Sequence, residues 1–149
     1  MSSADAAESL HEVPEYTDGR EPTKQKLVIN HLKSDADFKN DGMRPYALYR
    51  DLGLAEATNG LVQGHVIRMV PPCTDEVRKR HYHDTQFQMT YMIRGWMKIE
   101  FEGYGEVTLQ AGSLAMLPQR IKHTVLDYSD DCEQIEIIMP AEFDTVPAD

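Results

Sequence analysis

Most of the chain alternates short apolar runs with turn-forming residues, a pattern typical of strands rather than helices. Strands are predicted near Pro45–Arg50, Leu61–Val70, Arg80–His83, Gln86–Arg94, Trp96–Phe101, Glu106–Leu109, Ser113–Leu117, Thr124–Tyr128 and Glu133–Met139. The clearest breaks fall at Gly95, at Gly103-Tyr104-Gly105 and at Ala111-Gly112. Many short strands in close succession predict an all-β sandwich or barrel.

The N-terminal part follows a different pattern. Residues 1–24 are polar and acidic, which predicts a flexible arm ahead of a single domain over residues 25–149. Lys26–Leu32 is apolar enough to add a short strand, and Asp41-Gly42 is a turn signal. Asp51–Thr58 allows no more than one helical turn.

The run Gln86–Arg94 has two different faces, because successive strand side chains point to opposite sides. The inward set is predicted to be Gln86, Gln88, Thr90 and Met92, and the outward set Phe87, Met89 and Tyr91. The inward set mixes polar and soft side chains, as a small-molecule pocket requires. The outward set is apolar and needs a cover, either the N-terminal segment or a second subunit, so we expect a homodimer.

Composition narrows the class of protein. The chain has 149 residues and a net charge of −10, which argues against nucleic-acid binding. It contains no apolar run long enough to span a membrane and no visible signal peptide. Cys73 and Cys132 do not form a disulfide framework. These features predict a reduced, cytoplasmic protein without membrane or nucleic-acid partners.

The segment His81-Tyr82-His83 carries the most specific chemical signal. Two imidazoles at positions i and i+2 of a strand project from the same face. A third imidazole from another strand, His123, would complete three neutral nitrogen ligands. Such a set binds a divalent transition metal and leaves coordination positions open for substrate or water.

The surrounding spacing resembles the two motifs of the cupin family. It runs His81-x-His83-x4-Gln88-x6-Gly95 and then Gly112-x5-Pro118-x4-His123. The resemblance covers roughly residues 60 to 140. It implies a double-stranded β-helix, or jelly-roll barrel, commonly dimeric, with a metal inside the barrel. By position, the resemblance assigns the metal to His81, His83, Gln88 and His123.

The chain departs from the cupin motifs at four positions: Asp75, Gln88, Arg120 and Asp127. Gln88 matters most, because the family usually has an acidic ligand there and Gln offers only a neutral amide. Three neutral imidazoles and the neutral amide of Gln88 would not offset any of the +2 charge of a bound divalent ion. Such a centre should prefer an anionic ligand that chelates through oxygen.

Further pocket candidates are His65 on the Leu61–Val70 run, Trp96 after Gly95, and Met116, although Trp96 and Met116 also fit a core position. Basic residues cluster at the entrances of both motifs. They are Arg78, Lys79, Arg80, Arg120 and Lys122. They predict a basic rim that attracts an anion, with solvated loop charge as the other interpretation.

These observations favour a metalloenzyme that acts on a small anionic metabolite. Fe(II) is the favoured cofactor, with Mn, Ni or Zn as alternatives. The centre would support dioxygenase chemistry, or Lewis-acid isomerase or lyase chemistry for which His65 is a candidate base. The alternative is a non-catalytic cupin that binds or senses a small molecule. No nucleotide-binding or nucleophile-elbow motif competes with this interpretation.

Overall fold

The computed structural model describes residues 24–40 and 44–149. Ten strands follow one another in this part of the chain. They are β1 (Ala47–Asp51), β2 (Gln63–Met69), β3 (His81–His83), β4 (Phe87–Arg94), β5 (Trp96–Phe101), β6 (Gly105–Gln110), β7 (Leu114–Met116), β8 (His123–Tyr128), β9 (Glu133–Met139) and β10 (Thr145–Pro147). Helical structure in these residues is limited to a 3-10 turn at Asp35–Asp37 and to α1 (Leu54–Ala57).

The strands form two five-stranded sheets, in which every strand pair is antiparallel. One sheet has the order β1-β2-β9-β4-β7 and the other β10-β3-β8-β5-β6. Consecutive strands often lie in different sheets, as in a jelly roll, so the predicted all-β barrel is confirmed. None of the helices in the described part of the chain has the length and apolar character needed to cross a bilayer.

Alternation of side chains builds the core between the sheets. On β5, Met97, Ile99 and Phe101 point inward and are nearly fully buried. Met92 of β4, in the other sheet, belongs to the same core cluster and is 0% exposed. Ile138 of β9 is also fully buried, at 1% exposed. The packed apolar core occupies one part of the interior, while polar side chains described below occupy another.

Some local predictions differ from the structure. Lys26–Leu32 has no strand, and its apolar side chains Leu27, Ile29 and Leu32 are about half exposed or more, because no sheet edge pairs with them among the described residues. The three-residue strand β10 was not predicted, since so short a run has no detectable period. Almost all of the predicted arm (residues 1–23) and the predicted turn at Asp41-Gly42 lie outside the described residues.

The outer face of β4 follows the predicted alternation. Phe87 and Tyr91 are 36% and 40% exposed, and Ile93 adds a further 40% exposed side chain. On the neighbouring strand β7, Leu114 and Met116 are 56% and 54% exposed. This sheet therefore presents a contiguous apolar outer surface, which we call the β4–β7 face.

The turn between β4 and β5 depends on a glycine. Gly95 has φ 72°, a conformation that costs a side-chain-bearing residue energy. A Cβ at this position would also collide with Ser129 Oγ and lie 3.1 Å from the backbone Cα of Cys132. Both restrictions favour glycine at the point where the chain passes from the sheet of β4 to the sheet of β5.

Gly95→Ala should therefore destabilise the fold more than Gly103→Ala. Gly103 also has positive φ, 75°, but a Cβ added there would meet no atom within 4 Å, so only the backbone cost of about 1–2 kcal/mol applies. At Gly95, overpacking adds about 1–3 kcal/mol. Urea unfolding of both variants measures the difference, and equal losses of stability would contradict the steric argument.

Candidate metal centre

Cross-strand pairing brings three imidazoles together. His81 and His83 project from β3, and His81 is directly opposite His123 of the neighbouring strand β8. The ring centroids of His81 and His123 are 4.4 Å apart, and those of His83 and His123 are 5.2 Å apart. One nitrogen from each of the three rings lies within 4.8 Å of the other two. We call these residues the His triad.

The hydrogen bonds of the His triad leave its second nitrogens for a metal. The Nδ1 atoms of His81 and His123 lie 2.8 and 3.1 Å from the backbone carbonyls of Lys79 and Ile121. A carbonyl only accepts, so each Nδ1 donates its proton and each Nε2 carries a free lone pair. Nδ1 of His83 is 2.9 Å from Thr145 Oγ1, which orients the third ring. Metal-ligating histidines are oriented in this way.

The triad is held in its neutral form. Burial is the main cause that lowers the pKa of His83 to about 3 and that of His123 to about 4, and nearby positive groups add to it. Burial also lowers the pKa of His81. A metal binds the neutral imidazole, so these donors fit a transition metal at neutral pH without first losing protons.

Gln88 lies in the same cavity as the triad and is 4% exposed. Its Nε2 donates a 3.3 Å hydrogen bond to Glu136 Oε2 on the adjacent strand β9. The structure shows no second hydrogen bond for this amide among the described residues, so its Oε1 is available to a ligand. Burial raises the pKa of Glu136, although the bond from Gln88 opposes that rise.

The interior of the barrel contains a cavity of about 430 Å³. It is bordered by the His triad and Gln88 together with apolar side chains such as Ile67, Leu117 and Val125. Its other polar lining includes Arg44, Tyr49, Gln63, His65, Thr90, Gln134 and Glu136. A cavity of this volume, mostly apolar with a few convergent polar groups, is typical of a small-molecule site.

Two of the predicted pocket residues, His65 and Thr90, border this cavity. His65 packs edge-on against the ring of Tyr49, with centroids 5.4 Å apart. Thr90 donates to Gln134 Oε1 at 3.0 Å. Both lie on inward positions of their strands, β2 and β4.

The other five predicted pocket residues lie elsewhere: Gln86, Met92, Trp96, Met116 and Arg120. Gln86 precedes β4 and is exposed, so the alternation of inward and outward side chains along β4 does not extend back to it. Met92 points inward as predicted but is sealed in the apolar core. Trp96 is 38% exposed at the start of β5, which also corrects its alternative core assignment.

Met116 and Arg120 face away from the cavity for different reasons. Met116 is on an outward position of β7 and borders a separate surface groove. Arg120 has φ 62° and pairs with Asp84 at 3.0 Å, with 67% of its side chain exposed.

The predicted basic rim consists largely of paired charges. Arg78 pairs with Asp75 at 3.0 Å and donates to the Leu126 carbonyl at 2.7 Å. Arg80 lies 3.4 Å from Glu100. None of the five rim residues borders the cavity described above. Three of the five rim residues, Arg78, Arg80 and Arg120, are thus paired with acidic side chains of the barrel.

Sequence reasoning missed Arg44 and Glu136. Along β9, Gln134 and Glu136 point inward while Ile135 and Ile137 point outward, the reverse of the usual pattern. The two-residue alternation of polar and apolar residues along β9 is visible in the sequence. Apolar side chains usually point to the interior, so the sequence alone favours the wrong face. Arg44 stands just ahead of β1, outside any recognisable motif.

No protein-family model matches the chain, and no match was found among curated proteins. Solved structures do match. KdgF from Halomonas sp. aligns with a TM-score of 0.55 and 19% identity over 70% of this chain and 94% of its own. A sugar phosphate isomerase of the cupin superfamily from Silicibacter pomeroyi aligns with a TM-score of 0.51 and 18% identity, over 63% of this chain and 59% of its own.

Oxalate decarboxylase from Bacillus subtilis also matches, in a mutant form. The TM-score is 0.59 at 19% identity, over 91% of this chain but only 35% of the longer enzyme. Another structure of that enzyme is described by its Mn(II) centres, with a TM-score of 0.51. At these identities the likeness concerns the fold.

The metal-free protein should lose stability as the pH falls from about 6.5 towards 4. Unfolded imidazoles bind a proton below pH of about 6.5, whereas folded His83 and His123 stay neutral down to a pH of about 3 and about 4. Each of these residues contributes a slope of at most about 1.4 kcal/mol per pH unit. Urea unfolding at several pH values measures the total slope.

A comparison with His123→Asn isolates the histidine contribution, because the raised pKa of Glu136 acts in the opposite direction in both proteins. The variant should show a shallower slope than the wild type. His31→Asn, at an exposed position, serves as the control and should leave the slope unchanged. Parallel profiles for the wild type and His123→Asn would show that burial does not keep this imidazole neutral.

Proposed function

We propose that this chain, which has the cupin fold, is a metalloenzyme that acts on a small anionic metabolite. His81, His83 and His123 would hold a divalent transition metal, with Gln88 as a fourth candidate ligand. The observation that carries the proposal is that one nitrogen of each of the three rings lies within 4.8 Å of the other two. Each Nδ1 also has a hydrogen-bond partner that orients its ring.

Charge supports an anionic, oxygen-chelating ligand. Three neutral imidazoles and an amide leave the full charge of a divalent ion, and Gln88 supplies no compensating carboxylate. Fe(II) is the favoured metal, with Mn, Ni or Zn as alternatives, since all accept imidazole ligands. When bound, the metal would act as a Lewis acid or support dioxygenase chemistry.

The residues of the chain would supply the remaining functions. The apolar walls and Gln134 with Thr90 would hold the carbon skeleton and its polar groups away from water. An isomerase or lyase reaction also needs a proton acceptor within reach of the ligand. His65 is the candidate for that role because it borders the cavity and packs against Tyr49.

A non-catalytic binding or sensing protein is the second candidate function. The absence of a carboxylate at position 88 favours it, because a neutral amide is a weak metal ligand. Both candidates require that the cavity binds a small anion. They differ in whether the bound compound is turned over.

We also propose a homodimer in a reducing, cytoplasmic environment. The β4–β7 face is apolar and exposed, which suits a second subunit better than solvent. Cys73 and Cys132 are both free thiols, in keeping with a reducing compartment.

Removal of a triad member should release most of the metal. Protein purified without a His tag should contain a transition metal by elemental analysis, and His81→Ala or His123→Ala should lose it while the barrel stays folded by circular dichroism. The matched control is His31→Ala, which should keep its metal. Unchanged metal content in both triad variants would contradict the assignment.

The same preparations discriminate the candidate functions. Substrate-dependent O₂ uptake with β-dicarbonyl or catechol-like acids supports the dioxygenase. Metal and ligand binding with conversion but without O₂ uptake supports an isomerase or lyase. Binding without any conversion supports the sensing protein.

Gln88→Glu should strengthen metal binding and weaken anion binding. A carboxylate beside a dication should raise affinity by at least about tenfold, since that corresponds to only about 1.4 kcal/mol of Coulombic gain. Competition with a chelator measures the affinity for Mn(II), and calorimetry with malonate measures that for an anion. Gln63→Glu adds the same charge elsewhere in the cavity and should not strengthen metal binding. Equal or tighter malonate binding by Gln88→Glu would refute the charge argument.

A further inference from the structure

One cation borders the cavity that contains the His triad. Arg44 is half-buried and is the only Lys or Arg among the described residues that line this space. Its positive charge is close enough to contribute to the lowered pKa of all three triad members and to act on Glu136. Arg44 therefore borders the same cavity as the proposed metal ligands, and its charge affects their protonation.

The backbone of Arg44 is held in place, but its side chain has no polar partner among the described residues. The Arg44 carbonyl accepts bonds from Asn40 Nδ2 at 2.7 Å and from the Ala47 amide at 3.3 Å. The guanidinium lies 6.0 Å from the centroid of the Tyr46 ring. Within residues 24–40 and 44–149, the structure shows no hydrogen bond or ion pair to the guanidinium.

Other arginines of the barrel are used differently. Arg68 stacks on Phe38 and pairs with Glu133 at 2.9 Å, while Arg78 and Arg120 pair with nearby Asp residues. In contrast, neither of the two carboxylates that border the cavity, Glu136 and Glu142, forms an ion pair with Arg44 in the described structure. An arginine that faces a cavity with its donors unpaired is suited to bind a carboxylate from a ligand.

We propose that Arg44 binds a carboxylate of the ligand, separate from the oxygens that chelate the metal. The inference rests on the proposed function, since the chelating end of the ligand is assigned to the His triad. It narrows the ligand class to small acids that carry a carboxylate in addition to a metal-chelating pair of oxygens. The apolar walls Ile67, Met69 and Val125 would contact the carbon chain between the two ends.

Calorimetry on Mn(II)-loaded full-length protein tests this assignment with three acids. Pyruvate, oxaloacetate and 2-oxoglutarate share a 2-oxo acid that chelates metals, but only the latter two carry a further carboxylate, at increasing distance. The wild type should bind at least one of the dicarboxylates tenfold or more tightly than pyruvate. That factor is of the order expected for a charge-assisted, bidentate hydrogen bond, about tenfold to a hundredfold.

Arg44→Gln should abolish this preference, so that the dicarboxylates lose far more affinity than pyruvate does, while Mn(II) binding is retained or strengthened because a nearby positive charge is removed. Arg44→Lys should restore part of the preference, because a lysine keeps the charge but not the planar pair of donors. Arg120→Gln is the matched control: it removes an exposed, paired arginine and should keep the full preference.

The outcomes separate the two proposals. If Mn(II) and pyruvate bind but the dicarboxylates bind no tighter, or if Arg44→Gln retains the preference, the assignment of Arg44 is overturned and the metal site stands. If neither Mn(II) nor any of the acids binds, the proposed function fails and the assignment of Arg44 fails with it. Loss of the preference in Arg44→Gln but not in Arg120→Gln, with Mn(II) still bound by both variants, supports the role.

Discussion

The pairing of β3 with β8 is the constraint on which the site depends. It places His81 directly opposite His123, and the two-residue period of β3 then brings His83 to the same face. Burial between the sheets removes water from the three rings, so they stay neutral. Backbone carbonyls and Thr145 fix which nitrogen of each ring faces the cavity. Geometry, protonation state and orientation thus follow from one strand pair and its surroundings.

Burying polar side chains costs free energy, and the barrel offsets this cost by giving most of them hydrogen-bond partners. Polar groups removed from water must find partners, and here Thr90 bonds to Gln134 while Gln88 bonds to Glu136. Members of the apolar core such as Ile67, Met97 and Ile99 also line the cavity, so apolar and polar side chains share its wall. The acidic residue of this network is Glu136, which accepts the hydrogen bond from Gln88 and whose pKa is raised by burial.

Much of this could be read from the sequence, because local periods and motif spacing determine it. The strands from Gln86 to Met139 were predicted to within a few residues, and the spacing of His81, His83 and His123 indicated their convergence. Arg44 and Glu136 could not be predicted, since their place depends on how distant strands pair and not on any local pattern. The basic residues near Arg78 and Arg120 allowed two interpretations from the sequence, a rim for an anion or paired loop charge. The structure pairs Arg78 with Asp75 and Arg120 with Asp84, which a charge pattern alone does not decide.

The short strand β10 links the site to the completion of the fold. Thr145, which orients His83, lies 62 residues farther along the chain, and β10 pairs with β3 over its whole length. A growing polypeptide can contain all three imidazoles long before it contains the hydroxyl group that orients one of them. All three rings are therefore oriented only once β10 is paired with β3, so the proposed metal site would be complete only after synthesis of almost the whole barrel.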